Sequence, residues 1–425
     1  MTKNGIDPKP KPPRGYKTIC LPFENEARYE QCLRDDSEYR KHLEHWAGIH
    51  PELFPPEIGE GFIFYGSYRS RKRRIDLRRI EMKKSREVYQ IRPSFLMPYL
   101  TAQTDEVEKA LYLRLWNVSF DGLAYVFGRD AMYWYRMTLQ LGRPALVGTT
   151  VKNPEKLPRH LVADEKHTRL QGEKIYAPTT VADGCFFGVA AASGAGTDDL
   201  ERAYGEFAAE ARELNPDYDP ETVGTDGWSA TDAAWRKLFP AITVILCFLH
   251  AVLKLRDRCR RADQEWVDLV MDKAWDVYSA TTRSEFLKRF RRLRAWAKKR
   301  APEELREALL AICGKAKLFA KAYDFAGSYR TSNTVDRLMD YQDRVLYAMK
   351  YFHGTVESAR AMLRSQAMLW NFHPYGARLR RRDSNRSSPA AELNGDQYHE
   401  NWLHNFLISA SLGGRRNLFV KRKEQ

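Results

Sequence analysis

The spacing of apolar and polar positions changes character repeatedly along the chain. Residues 22–47 place apolar side chains at helical intervals among charges, which predicts one charged helix, and HPELFPPEIGEG after it is a Pro/Gly-bounded loop. From Gly61 to about Pro93, short alternating or β-branched runs between polar clusters predict a small β-rich unit. Helical spacing returns in VEKALYLRLW, FDGLAYVF and DAMYWYRMTL, broken by NVS and GR, so residues 105–142 read as three short helices. LGRPALVGTTVKNPEKLP, residues 141–158, reads as a Gly/Pro-punctuated linker.

Beyond the linker, RHLVADEKHTRL, KIYAPTTVAD and CFFGVAAAS read as successive strands. TDDLERAYGEFAAEAREL is an amphipathic helix capped by Thr197, with acids in its first turn. Then come a TVGTD strand, a helix over SATDAAWRKLF that Pro240 stops, and the wholly apolar AITVILCFL, read as a strand. The order β-β-β-α-β-α-β predicts an α/β fold with a mixed sheet and helices on its faces. From His250 to about 327 the pattern is helical throughout, and RTSNTVDRLMDYQDRVL then opens a long helix with Thr331, Ser332 and Asn333 at its cap. GARLRRRDSNRSSP is a basic, Ser-rich connector, and HENWLHNFLISAS is an amphipathic segment expected to dock on a partner subunit.

Composition narrows the function. The 425 residues are 43% hydrophobic, which suits two or three globular domains rather than a disordered chain. Lys and Arg total 70 against 55 acids, for a formal charge of +15, so a polyanionic partner is favoured. No run approaches the roughly 18 apolar residues of a membrane-spanning helix, and MTKNGIDPKPKPPRGYK lacks the apolar centre of a signal peptide, so a soluble cytoplasmic, nucleoid-associated protein is expected. The six cysteines, Cys20, Cys32, Cys185, Cys247, Cys259 and Cys313, include no C-x-x-C pair and suggest neither a zinc ribbon nor a disulfide framework.

Three acids stand where chemistry is commonly built. Asp226 directly follows the TVGT strand and precedes a helix, a position from which side chains project into the crevice beyond a sheet, although Asp is also an ordinary turn residue there. Asp164 is placed at the end of the first strand of this group, beside the Asp226 strand if a crossover joins them. Asp336 falls in the first turn of the long later helix, where it also reads as a capping acid. Such carboxylates suit Mg²⁺, a hard cation that takes oxygen ligands. In the three-helix stretch, a third helix exposing Arg129, Tyr133, Tyr135 and Arg136 after Gly128 has the outline of a helix-turn-helix reader, while trihelical units also occur as plain structure. The RSRKRR run ending at Arg74 reads either as a solvated hairpin tip or as a phosphate-backbone contact.

Three stretches together, VADEKHT around Asp164, TDGWSAT to CFLH from Asp226 to His250, and RTSNTVDR ending at Asp336, resemble transposases of bacterial insertion sequences, in the broad Mutator-like group with an RNase H-like catalytic domain and a DDE/DDD triad. Cys247-x-x-His250 resembles the C-x-x-H motif after the second acid, and the helical block resembles the insertion before the third. The resemblance covers roughly residues 158–375. It departs from the family at Asp336, where Glu is usual, which leaves Asp340 and Glu357 as alternative third acids.

The resemblance implies an RNase H-like mixed sheet with an all-helical insertion. Together with the patterns on either side of it, the expected division is an N-terminal helical and β-rich region (1–100), a helix-turn-helix region (101–145), a first part of the catalytic core (146–255), the insertion (256–327), final core helices (328–375) and a basic tail (376–425). The resemblance also implies that Asp164, Asp226 and Asp336 hold two Mg²⁺ ions, replaceable by Mn²⁺, with Asp164 between them, for cleavage and strand transfer of double-stranded DNA at element ends and target. Arg129, Tyr133, Arg136, Lys166, His167, His250, Arg380 and Arg381 are the expected DNA contacts, and a homo-oligomer on DNA is the expected assembly. Two other functions fit the same residues: a non-catalytic DNA-binding regulator derived from such an enzyme, and a structure-selective nuclease on the same fold.

Overall fold

The computed structural model describes residues 16–70, 74–98, 102–262, 265–331, 333–382 and 387–415. In chain order the elements begin with β1 (Thr18–Leu21), α1 (Glu26–Arg34), α2 (Asp36–Ile49), β2 (Phe62–Ser70), β3 (Ile75–Met82) and β4 (Val88–Pro93). Helices α3 (Thr104–Leu115), α4 (Phe120–Phe127), α5 (Ala131–Leu141) and α6 (Leu146–Thr150) follow. Next come β5 (His160–Leu170), β6 (Glu173–Ala182), β7 (Cys185–Val189), α7 (Thr197–Leu214), β8 (Thr222–Thr225), α8 (Ser229–Leu238) and β9 (Thr243–Leu246). The rest is helical: α9 (Phe248–Ala262), α10 (Glu265–Tyr278), α11 (Arg283–Arg300), α12 (Glu303–Gly314), α13 (Ala316–Phe319), α14 (Asn333–Ala348), α15 (Val356–Phe372), α16 (Ala377–Arg382), α17 (Pro389–Asn394) and α18 (Trp402–Ser409). Among the described residues no helix is long and apolar enough to cross a membrane.

The chain forms two compact units, one of residues 1–156, 210–216 and 364–425 and the other of residues 157–209 and 217–363. The first contains a four-stranded sheet in the order β1-β4-β3-β2, with β1 parallel to β4 and the other pairs antiparallel. The predicted single helix over 22–47 is two helices, because Asp35 leaves helical geometry and its carboxylate accepts the N–H groups of Ser37 and Glu38 to cap α2. The expected linker contains α6, all five residues of which are buried. The three predicted short helices form as α3, α4 and α5, with Trp134, Met137 and Leu141 of α5 turned into the core.

The C-terminal segment expected to dock on a partner is instead buried in its own unit. Every residue of α18 is buried, Trp402 donates to Glu108, and the ring of His404 is held between Ser94 Oγ (2.9 Å) and Asp105 Oδ1 (3.1 Å). Amphipathic spacing correctly indicated an apolar face, but a face of that kind does not name what covers it.

The second unit is an α/β structure around a five-stranded mixed sheet in the order β7-β6-β5-β8-β9. β5, β6 and β7 pair antiparallel, whereas β8 runs parallel to both β5 and β9. The predicted strand AITVILCFL ends early at Leu246, and α9 starts at Phe248, so the helical block begins before its expected start at 256. An apolar run of that length suits a buried strand or a buried helix equally. Here it serves as both, with Phe248, Val252 and Leu255 of α9 joining Phe286, Phe290, Leu305 and Phe319 in the core of the helical block.

Candidate metal and catalytic centre

The register of the parallel strands sets the first two acids. β5 pairs with β8 only through His160↔Thr222, Leu161↔Val223 and Val162↔Gly224, and continuing that register brings Asp164 level with Asp226. Asp164 is therefore not at the end of its strand. β5 runs on to Leu170 because its antiparallel partner β6 continues beside it, while β8 stops at Thr225 and opens a crevice next to Asp164.

Asp226 combines both roles that the sequence allowed. Its Oδ1 accepts the Trp228 N–H at 2.9 Å, which shapes the turn from β8 into α8. Gly227 adopts φ +87°, and a Cβ at that position would stand 2.4 Å from Leu246 Cδ1, so this turn requires glycine. The other oxygen of Asp226 lies 3.7 Å from Lys254 Nζ of α9.

Asp336 comes from the first turn of α14, as the capping pattern predicted. Ligand atoms of Asp164, His250 and Asp336 all lie within 4.8 Å of one another, the one such group with metal-holding spacing among the described residues. The expected trio of carboxylates is thus represented by two acids and a histidine, with Asp226 outside the group. Its charge nevertheless reaches Asp164: burial first, then Asp226 and Asp336, push the Asp164 carboxyl up, against the Glu165 N–H and His250, which pull it down.

His250 is in the first turn of α9 and not at a strand end. Cys247, just before that helix, accepts the His250 N–H on its sulfur at 3.5 Å, so the C-x-x-H spacing is that of a helix cap. Contact with the Cys247 side chain, together with Asp336 and Asp164, raises the imidazole to about 9 although burial opposes it. His250 Nε2 lies 3.9 Å from Asp336 Oδ1.

An open cleft of about 490 Å³ is lined by Asp164, Lys166, His167, Asp336, Met339, Asp340 and Asp343, among others. Of the alternative third acids, Asp340 is exposed one turn beyond Asp336 in this cleft, while Glu357 is in the first turn of α15 and outside its lining. Lys166 is paired with Asp343, and His167 is exposed with its ring edge-on to Tyr176 at 4.9 Å. Asp226 lines a separate pocket of about 190 Å³ with Lys254, Leu255, Ile312 and Lys315.

Sequence reasoning missed Glu165. Successive strand residues face opposite sides, so Glu165 points away from Asp164. It is 7% exposed and accepts the Tyr204 O–H at 2.6 Å and the Thr231 O–H at 2.7 Å, tying β5 to α7 and α8. Burial, the largest influence, raises its carboxyl to about 7. The period of two in VADEKHT carried that signal.

In the other unit, Arg129 lies in the turn before α5 at φ +64°, with its guanidinium 5.6 Å from the centre of the Tyr133 ring. Arg136 is exposed and Tyr133 half-buried, whereas Tyr135 packs edge-on against Phe120 at 5.5 Å and is structural. Arg381 is exposed; the side chains of Arg380 and Cys259, and residues 71–73 in the middle of the RSRKRR run, lie outside the described residues. No protein-family model and no curated protein matches the chain.

Proposed function

We propose that this chain is a DNA transposase with an RNase H-like catalytic unit, which cleaves insertion-sequence ends and joins them to target DNA in a metal-dependent reaction. One observation carries the reading: Asp164, His250 and Asp336 gather within 4.8 Å beside a sheet ordered β7-β6-β5-β8-β9, with Asp226 at the tip of the strand next to Asp164. The order of strands and the position of the acids support the RNase H-like assignment, and the three-helix group with Arg129 and Arg136 supports a helix-turn-helix reader.

The donor set fits divalent cations. Carboxylate oxygens of Asp164 and Asp336, with Asp226 close enough to influence Asp164, form the oxygen-rich environment that Mg²⁺ or Mn²⁺ takes. Bound there, such ions supply charge stabilisation to the attacking and leaving oxygens of a phosphodiester displacement. The chain contributes the rest. The Glu165 N–H, 2.8 Å from Asp164 Oδ1, and the Trp228 N–H, 2.9 Å from Asp226 Oδ1, aim these carboxylates. His250, 3.9 Å from Asp336, is placed to donate a ring N–H to a phosphate oxygen, and Lys254 balances Asp226. Water attack on a phosphodiester breaks its P–O3′ bond, giving a 3′-OH and a 5′-phosphate; attack by that hydroxyl on a target phosphodiester forms a new P–O bond and expels the target's 3′-oxygen as a free hydroxyl, so the strands are joined.

The test is incubation of purified protein with Mg²⁺ and DNA carrying the element's own ends, scored for cleavage and joining. Both products are expected. Cleavage without joining identifies a nuclease, and binding without cleavage in either Mg²⁺ or Mn²⁺ identifies a DNA-binding regulator.

A further inference from the structure

Strand β2 is the edge of the four-stranded sheet, and its outer half is unusually apolar for an exposed strand. Ile63, Tyr65 and Tyr68 are 38%, 47% and 53% exposed. The register places all three on one face. Ile63 is opposite Glu81 and Tyr68 opposite Leu77, and the irregularity between Phe64 and Ser67 sets Tyr65 and Gly66 against the single residue Arg79. Gly66 takes φ +74° in this bulge, which keeps both tyrosines on the same side despite their odd spacing. The Arg79 guanidinium lies 5.3 Å from the centre of the Tyr65 ring.

The surroundings are strongly cationic. Ten Lys or Arg and two acids fall between Arg69 and Arg86. Arg69, Arg74, Lys83, Lys84 and Arg86 are exposed. Acidic partners pair with three of these five, Asp76 with Arg69 at 2.7 Å, Glu60 with Lys84 at 2.7 Å and Glu81 with Arg86 at 2.8 Å, and the ten cations against two acids in this stretch of sequence still leave it net positive.

Exposed rings in a row beside excess cations match the chemistry of a nucleic-acid strand: the rings take base faces and the cations take phosphates. Base faces in a duplex are covered by their neighbours, so contacts to an intact duplex would use the arginines and leave both tyrosines idle. We infer that the β2 face carrying Ile63, Tyr65 and Tyr68 is a binding surface for single-stranded DNA, separate from both the carboxylate centre and the three-helix group. The partner class rests on the DNA reading above; the stacking geometry does not.

The experiment measures fluorescence anisotropy of a labelled oligo(dT) and of a labelled duplex of equal length with the full-length protein, without metal and at fixed salt. The Tyr65→Ala/Tyr68→Ala double variant is expected to bind oligo(dT) about tenfold or more weakly. Duplex affinity should stay within about twofold, and Tyr65→Phe/Tyr68→Phe should restore single-strand binding because the rings remain. Unfolding by circular dichroism checks that all variants are folded. Unchanged oligo(dT) affinity in the alanine variant, an equal loss on both DNAs, or a phenylalanine variant as weak as the alanine one overturns the inference. Cleavage plays no part in this readout, so a protein that binds oligo(dT) through the tyrosines yet never cuts refutes the transposase reading and leaves this surface standing.

Discussion

Two neighbouring carboxylates on β5 face opposite sides of the same sheet and have opposite fates. Asp164 looks into the cleft beside Asp336, the negative charge of Asp226 reaches it from outside the cleft, and the Glu165 N–H is its close donor. Glu165 looks into the packing between sheet and helices and receives hydroxyls from Tyr204 and Thr231, both 1% exposed. Burial raises both groups, but only Glu165 has its charge shared among buried donors in return. A carboxylate crowded by others at a cleft is poised for a cation; one enclosed by hydroxyls holds a strand in place.

The widest separation between the two should appear in Asp164→Asn. Cleavage in Mg²⁺ is expected to fall by at least about 10³-fold, while the melting temperature is unchanged or slightly raised because like-charge crowding is relieved. A gel-based cleavage assay beside a thermal melt checks both, and residual cutting near wild type would remove Asp164 from the centre. Asp336→Ala should match that loss, whereas Asp336→Glu should keep part of the activity and Asp340→Ala nearly all of it. If Asp340→Ala is the inactive one, the third acid has been misassigned.

Glu165→Leu should reverse the pattern, losing about 3 kcal/mol of stability in urea unfolding because two buried hydroxyls are left without an acceptor. Loss of activity with full stability would instead place Glu165 in the chemistry. In the other unit, Arg129→Ala/Arg136→Ala should weaken binding to element ends by about 1–3 kcal/mol more than to random DNA, as competition titrations would show, if α5 reads bases. An equal loss on both DNAs would make these backbone contacts. Tyr204→Phe is the mildest change, expected to cost about 1 kcal/mol because Thr231 still donates to Glu165.

The sequence made the sheet's connectivity and the Asp226 turn legible for physical reasons. Three alternating runs joined by short turns fold as antiparallel neighbours, and strands separated by helices return parallel. The Thr-Asp-Gly-Trp turn was readable because aspartate and glycine each have a distinct backbone use there. What stayed hidden depended on partners distant in sequence. The length of β5 is set by β6 on one side and the early end of β8 on the other. AITVILCFL could not reveal where strand became helix, since its residues are apolar in either state. The Cys247 cap at that boundary, and the enclosure of α18, needed the fold itself.

The enclosure of α18 has a consequence for biosynthesis. Ser411 Oγ accepts the Cys20 N–H at 2.9 Å and donates to the Cys20 carbonyl at 3.1 Å, and the Ala145 N–H donates to the Gly413 carbonyl at 2.8 Å. The unit that contains β1 therefore cannot close until residues beyond 411 have left the ribosome. The unit bearing the acids, drawn from residues 157–363, is fully translated earlier and can collapse while its companion is still waiting. During synthesis β1 and the helices after it remain without their last partner until residues 411–413 emerge, so a strand made long before them waits for them to complete its hydrogen bonds.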